Sequence, residues 1–167
     1  MPFSTRIAQL SDADALSAVA EQTFALASPP DASVLALTTY IETQLQPAHF
    51  RHHLNSLTKR LRVLQCEGQI VGYSLLDSAP DPLDIAQAEN LPELSRCYVL
   101  PAQHGAGAAQ RLLDDTLAQV QGAVRLTVNE QNARAIRFYQ RNGFCKVGEA
   151  LFVCGPELHR DWVMVRE

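Results

Sequence analysis

The residues of this chain best suited to chemistry form a run of small side chains, His104-Gly105-Ala106-Gly107-Ala108-Ala109. The run follows a strand-like stretch ending at Val99-Leu100 and opens an amphipathic helix. Gly105, Gly107 and Ala109 carry little or no side chain, so backbone amides there can approach an anion closely. The first turn of the helix adds N–H donors that have no intrahelical partner, together with the positive end of the helix dipole. That is the chemistry of a pyrophosphate cradle. Further on, a second helix opens with the phrase Asn132-Ala133-Arg134-Ala135-Ile136-Arg137-Phe138-Tyr139, with Asn132 as its N-cap. His49, His52 and His53 invite a metal reading, since the first two lie three apart on a helix. No carboxylate or thiol nearby completes a ligand set, so they are read as an exposed polar face and no metal site is expected.

The elements that must position these residues can be read from periodicity and punctuation. A short strand is predicted over Thr5–Gln9, then a helix that begins around Ser11–Asp14 and ends at Ser28-Pro29-Pro30, with Leu16, Val19, Ala20 and Phe24 on one face. Two more helices are predicted over 32–45 and 47–57, the latter starting at Pro47. Leu61–Cys66 and Ile70–Leu76 read as a hairpin turning at Gly68. Ala79-Pro80-Asp81-Pro82 then opens a polar loop to about Asn90, followed by a strand over Glu93–Val99. The helix after the glycines shows Ala109, Leu112, Leu113, Thr116 and Leu117 on one face. A strand over Val124–Val128, a helix over Asn132–Asn142 stopped by Gly143, and two strands around Gly155-Pro156 complete the chain.

The 167 residues, nearly half of them apolar, suit one domain spanning 1–167. A net charge of −4 without a basic stripe argues against a nucleic-acid partner and mildly favours cationic substrates. Cys66, Cys97, Cys145 and Cys154 lack a Cys-x-x-Cys pair and read as reduced core thiols. The start Met1-Pro2-Phe3-Ser4-Thr5-Arg6 lacks the apolar run of a signal peptide, and no apolar stretch approaches the roughly 20 residues that span a bilayer. A cytoplasmic protein without a membrane partner, monomeric or homodimeric, is expected.

Taken together, the glycine loop and the segment Leu126–Phe144 resemble the Gcn5-related N-acetyltransferases, which move an acetyl group from acetyl-CoA to an amine. The family's loop begins with Arg or Gln where this chain has His104, a departure that Gln103 partly offsets. The resemblance implies an α/β fold with a mixed, mostly antiparallel sheet of about seven strands flanked by helices. It places acetyl-CoA as acetyl donor against Cys97, Tyr98, Val99, His104, Gly105, Ala106, Gly107, Ala108, Ala109 and Asn132. It also implies Tyr139 as general acid toward the leaving thiolate and Glu93 as the group that deprotonates the amine. A main-chain N–H near Val99 would polarise the carbonyl, on a strand that in this family bulges and splays from its neighbour. Tyr98 faces either substrate or core.

A looser likeness narrows the acceptor. Leu94-Ser95-Arg96-Cys97-Tyr98-Val99, Thr23-Phe24 with Pro29 and Tyr40, and Phe152-Val153-Cys154-Gly155 with Asp161 and Met164 resemble the bacterial spermidine/spermine acetyltransferase branch. A polyamine is thus expected among the small amine acceptors, with Asp81, Asp84 and Glu89 before Glu93 attracting the cation. Acetylation of a protein N-terminus or another small amine, and a non-catalytic acetyl-CoA sensor, remain as alternatives. A dinucleotide-binding oxidoreductase fits less well. Pro101–His104 separates the strand from the glycines, and Gln110 holds the third glycine position.

Overall fold

The computed structural model describes residues 2–167; Met1, the first residue of the expected domain, lies outside the described residues. The chain opens with β1 (Phe3–Ile7), two residues earlier than the sequence predicts. The cause is local. Asp12 accepts the Gln9 N–H at 2.7 Å and pairs with Arg6 at 2.8 Å, which turns Gln9 out of the strand and into a 3-10 turn at Leu10–Asp12. Helix α1 (Ala13–Ala27) buries the predicted face, Leu16, Val19, Ala20 and Phe24, and stops before the prolines that cannot continue it. In α2 (Val34–Gln44) the Ser33 hydroxyl accepts the Ala36 N–H at 3.0 Å, supplying the N-cap. Helix α3 (Pro47–Leu54) ends short of the predicted Leu57, which is fully exposed and has nothing to pack against.

The hairpin of β2 (Lys59–Cys66) and β3 (Gln69–Asp77) turns on Glu67 and Gly68, both left-handed at φ 51° and 78°. Two such residues in succession match the twist of the flanking strands. There follow β4 (Glu93–Val99), α4 (Ala108–Leu117), β5 (Val124–Asn129), α5 (Ala133–Arg141), β6 (Cys145–Cys154) and β7 (Glu157–Arg166). All seven strands form one sheet in the order β1-β2-β3-β4-β5-β7-β6, antiparallel except at β4 and β5. The fold is α/β, a mixed and mostly antiparallel sheet flanked by helices.

The helices divide between the two faces of the sheet. On one face α1, α2 and α3 pack against Leu61, Val63, Tyr73, Leu75 and Tyr98. On the other, Leu113 of α4 and Ile136 and Tyr139 of α5 cover Leu76, Leu94, Leu126 and Val128, while Leu112 of α4 packs on Phe3, Leu64, Val71 and Val99. The loop between β3 and β4 is not merely solvated. Its Ala88, Leu83, Ile85 and Leu91 close over Val163 and Val165, with Ile85 seated against the bare backbone of Gly148. Among the described residues no helix is long and apolar enough to cross a membrane.

Candidate active site

Strands β4 and β5 run parallel but pair at a single position, Glu93 with Arg125. The buried Arg125 donates to Glu93 Oε2 at 2.9 Å and to the Asp81 carbonyl at 2.5 Å, while Ser95 Oγ donates to Glu93 Oε1 at 3.0 Å. Beyond this pinned end the strands part. The gap opens a cavity of about 680 Å³, walled by Cys97, Tyr98 and Val99 of β4 and by Thr127, Val128 and Asn129 of β5.

A bulge in β4 decides what faces where. Leu75 of β3 opposes Arg96 and Leu76 opposes Leu94, which leaves Ser95 as the extra residue. An inserted residue reverses the inside–outside alternation downstream. Leu94 therefore points to the α4/α5 side, yet Arg96 and Tyr98 point to the α1–α3 side, and Cys97 and Val99 return to the α4 side. Leu100 donates its N–H to Val71 on β3 at 2.8 Å. The N–H and C=O of Val99 point the opposite way, into the gap, because successive backbone groups of a strand alternate.

The glycine loop sits at the open end of this gap. Gly105 and Gly107 both adopt φ 81°, and a Cβ on either would meet nothing within 4 Å, so the backbone is bare toward open space. Gly107 is the N-cap of α4 and offers no side-chain cap. The first-turn amides of α4 are thus left for an anion, and Ala108, Ala109 and Gln110 line the cavity there. Ala106, expected with its neighbours, is exposed and outside the lining, since the left-handed glycines on either side turn it to solvent. His104 Nε2 lies 3.0 Å from the Val99 carbonyl, which holds the ring hydrogen on Nε2, and Nδ1 accepts from Arg134. His104 is therefore occupied in joining the end of β4 to α5, and the guanidinium it positions at the loop is Arg134, which also lines the cavity. The sequence reading overlooked Arg134, although it stands two residues after the N-cap Asn132, whose Oδ1 accepts the Ala135 N–H at 3.2 Å.

Cys97 and Tyr139 meet on the α4/α5 side of the gap. Tyr139 packs edge-on against Phe144, ring centroids 5.6 Å apart, and lines the cavity. Burial pushes its phenol well above the ordinary tyrosine value, with the nearby Cys97 and Tyr98 adding to the shift. Burial also pushes the Cys97 thiol up to about 12. Both groups hold their protons at neutral pH, so Cys97 is no thiolate nucleophile.

Glu93 does not line the cavity. Its register stands against the expectation that it deprotonates the amine: it lies at the closed end of the gap, with both carboxylate oxygens engaged by Arg125 and Ser95. Its removal strands a buried guanidinium, so Glu93→Ala is expected to lower unfolding free energy by about 3 kcal/mol. Chemical denaturation measures the loss, while the folded variant turns over within a few-fold of the parent; a collapse of turnover with unchanged stability would reinstate Glu93 in the chemistry. The loop acids Asp81, Asp84 and Glu89 likewise lie outside the cavity lining. The carboxylate that does reach the cavity is Asp161 of β7, opposite Asn129 in the sheet. Burial raises it to about 6, against the hydrogen bonds of Thr127 and Asn129 and the charge of His159.

The histidines of α3 also differ from an exposed polar face. His49 Nδ1 accepts the Gln46 N–H at 3.0 Å as part of the helix start, and His53 is half-buried, edge-on to Phe50. Among the described residues no group of three His, Cys, Asp or Glu side chains is placed to hold a metal ion.

Residues 20–159 match the family described as Acetyltransferase (GNAT) domain. The chain belongs to this family. It is 38% identical over 162 residues to an uncharacterized N-acetyltransferase of Mycobacterium tuberculosis, covering 95% of this chain and 99% of that protein, and an equally similar relative occurs in Mycobacterium bovis. The fold is shared with the PaiA N-acetyltransferase of Thermoplasma acidophilum in complex with coenzyme A, at TM-score 0.78 and 18% identity over 100% of this chain and 99% of that one. A GCN5-related N-acetyltransferase of Rhodopseudomonas palustris superposes at TM-score 0.77 and 15% identity, covering 100% and 96% of the two chains. In this GNAT domain the parted strands and the bare glycine loop thus lie in the fold common to such enzymes.

Proposed function

We propose that this chain transfers an acetyl group from acetyl-CoA to a primary amine, with Asp161 in the role first given to Glu93. The observation that carries the reading is the single cavity that joins an anion-accepting helix start, a slot-facing Val99 N–H and a carboxylate raised to about 6. The coenzyme A in the structure of the Thermoplasma relative supports the donor. The backbone of Gly105–Ala109, Arg134 and Asn132 would hold the donor, with Cys97, Tyr98 and Val99 forming the slot wall. When bound, acetyl-CoA supplies the thioester carbonyl that the amine attacks. Asp161 takes the proton that the ammonium must lose. The Val99 N–H donates to the carbonyl oxygen as negative charge develops there, and Tyr139 gives its proton to the departing sulfur. Transfer is direct, because the neutral Cys97 offers no nucleophile for an acylated enzyme.

Thiol release from acetyl-CoA with a panel of amines tests the reading. The expected result is amine-dependent release, with kcat/KM falling an additional tenfold per pH unit below about 6 as Asp161 takes up a proton. Above that pH its carboxylate is ionised and able to accept. Asp161→Asn should lack this limb; an unchanged limb in the variant removes Asp161 from the base role. Binding of acetyl-CoA with no release for any amine would favour the sensor alternative.

A polyamine acceptor rests on the branch resemblance alone. The acids expected to attract a polycation lie outside the cavity lining, whereas Arg96 and Asp161 both line it.

A further inference from the structure

Arg96 is the unexplained group of the acceptor side. The bulge at Ser95 swings it onto the α1–α3 face, where its guanidinium lies 5.7 Å from the Phe50 ring centroid and it lines the cavity with Tyr40, Tyr73 and Tyr98. Its Nη1 is enclosed and has no hydrogen-bond partner. Among the described residues it joins no ion pair. The groups facing it do not compensate. Tyr73 reaches the guanidinium, but burial raises the phenols of Tyr73 and Tyr98, so they offer hydroxyls rather than anions, and His53 is pushed down to about 4 by burial and by the Arg96 charge itself, so it stays neutral. A half-buried cation whose enclosed Nη1 has no acceptor, at the wall of a cavity, is costly unless something anionic completes it.

We propose that the acceptor amine also carries a carboxylate, and that Arg96 receives this carboxylate while Asp161 faces the amine. The inference rests on the acetyl-transfer reading above and names its substrate class: a small amino acid or a close relative. A planar guanidinium presents paired donors that match the two oxygens of a carboxylate, which a lysine cannot do. A polyamine would set a second ammonium against this charge.

The experiment compares matched acceptors: a panel of amino acids, each beside its carboxamide and its decarboxylated amine, with an aminoalkyl phosphate as a separate arm. For the best acid, kcat/KM should exceed that of its amide by roughly 10- to 100-fold, the scale of hydrogen bonds to a charged group. In Arg96→Met, acid and amide should be used about equally, and Arg96→Lys, which keeps the charge without the fork, should fall between. Should Arg96→Met fail to fold, the acid-to-amide ratio of the parent enzyme decides. Equal use of acid and amide by the parent, or an undiminished preference in a folded Arg96→Met, overturns the proposal while leaving acetyl transfer intact. Preference for the phosphate over every carboxylate also overturns it. Failure of every amine, with acetyl-CoA still bound, overturns the transfer reading and this proposal together.

Discussion

Tyr139→Phe is expected to slow turnover by roughly 10²-fold or more, the scale of a lost general acid, while acetyl-CoA affinity stays within a few-fold. The substitution removes one oxygen and preserves the ring, so the edge-on contact with Phe144 and the burial between α5 and the sheet survive. The enzyme should melt near the parent temperature. The size of the kinetic effect follows from the protonation state. Burial keeps the phenol protonated across the whole working pH range, so nearly every enzyme molecule has the proton to give, and none has it in the variant. A departing thiolate without a proton donor must then leave as an anion into a buried, weakly polar slot. Single-turnover measurements with saturating acetyl-CoA and amine separate chemistry from product release. An unaltered chemical rate would exclude Tyr139 from the transfer step. A loss confined to acetyl-CoA binding would make it part of the donor wall instead.

Much of this architecture is legible in the sequence because its signals are local. The turn at Gly68, the Asn132 cap, the stop at Pro29 and the bare glycines of the loop each depend on a few neighbouring residues. The site is less legible where it depends on register. Glu93 stands on the expected strand, but its role is set by a partner on β5, Arg125, and by the single rung that closes the gap. Tyr98 had two open orientations since alternation alone cannot settle a strand that contains a bulge; the extra Ser95 turns Tyr98 and Arg96 together toward α1. Asp161 was visible only as a point of likeness to one branch, because its function comes from burial beside Asn129 and Thr127 across the sheet. Arg134 reaches the loop through His104, a residue thirty positions earlier.

Gly107→Val is expected to weaken acetyl-CoA binding by roughly 100-fold, the loss of two charge-assisted hydrogen bonds at ~1.5 kcal/mol each. Two effects act together. At φ 81° a β-branched residue is strained, so the N-cap of α4 shifts and its first amides lose their aim. The added side chain also projects into space that nothing in the protein fills, which is where an anion would sit against the backbone. Strain alone can be separated from blocking. Gly122, at φ 91°, also has open space around its missing Cβ but lies outside the cavity lining. Gly122→Val should therefore cost a comparable ~1–2 kcal/mol of stability and leave acetyl-CoA affinity unchanged. Calorimetric titration of both variants, beside their denaturation curves, reads the difference. If Gly107→Val binds acetyl-CoA as the parent does, or if Gly122→Val loses affinity equally, then the backbone of the loop is not the phosphate cradle and the helix start of α4 must serve another end.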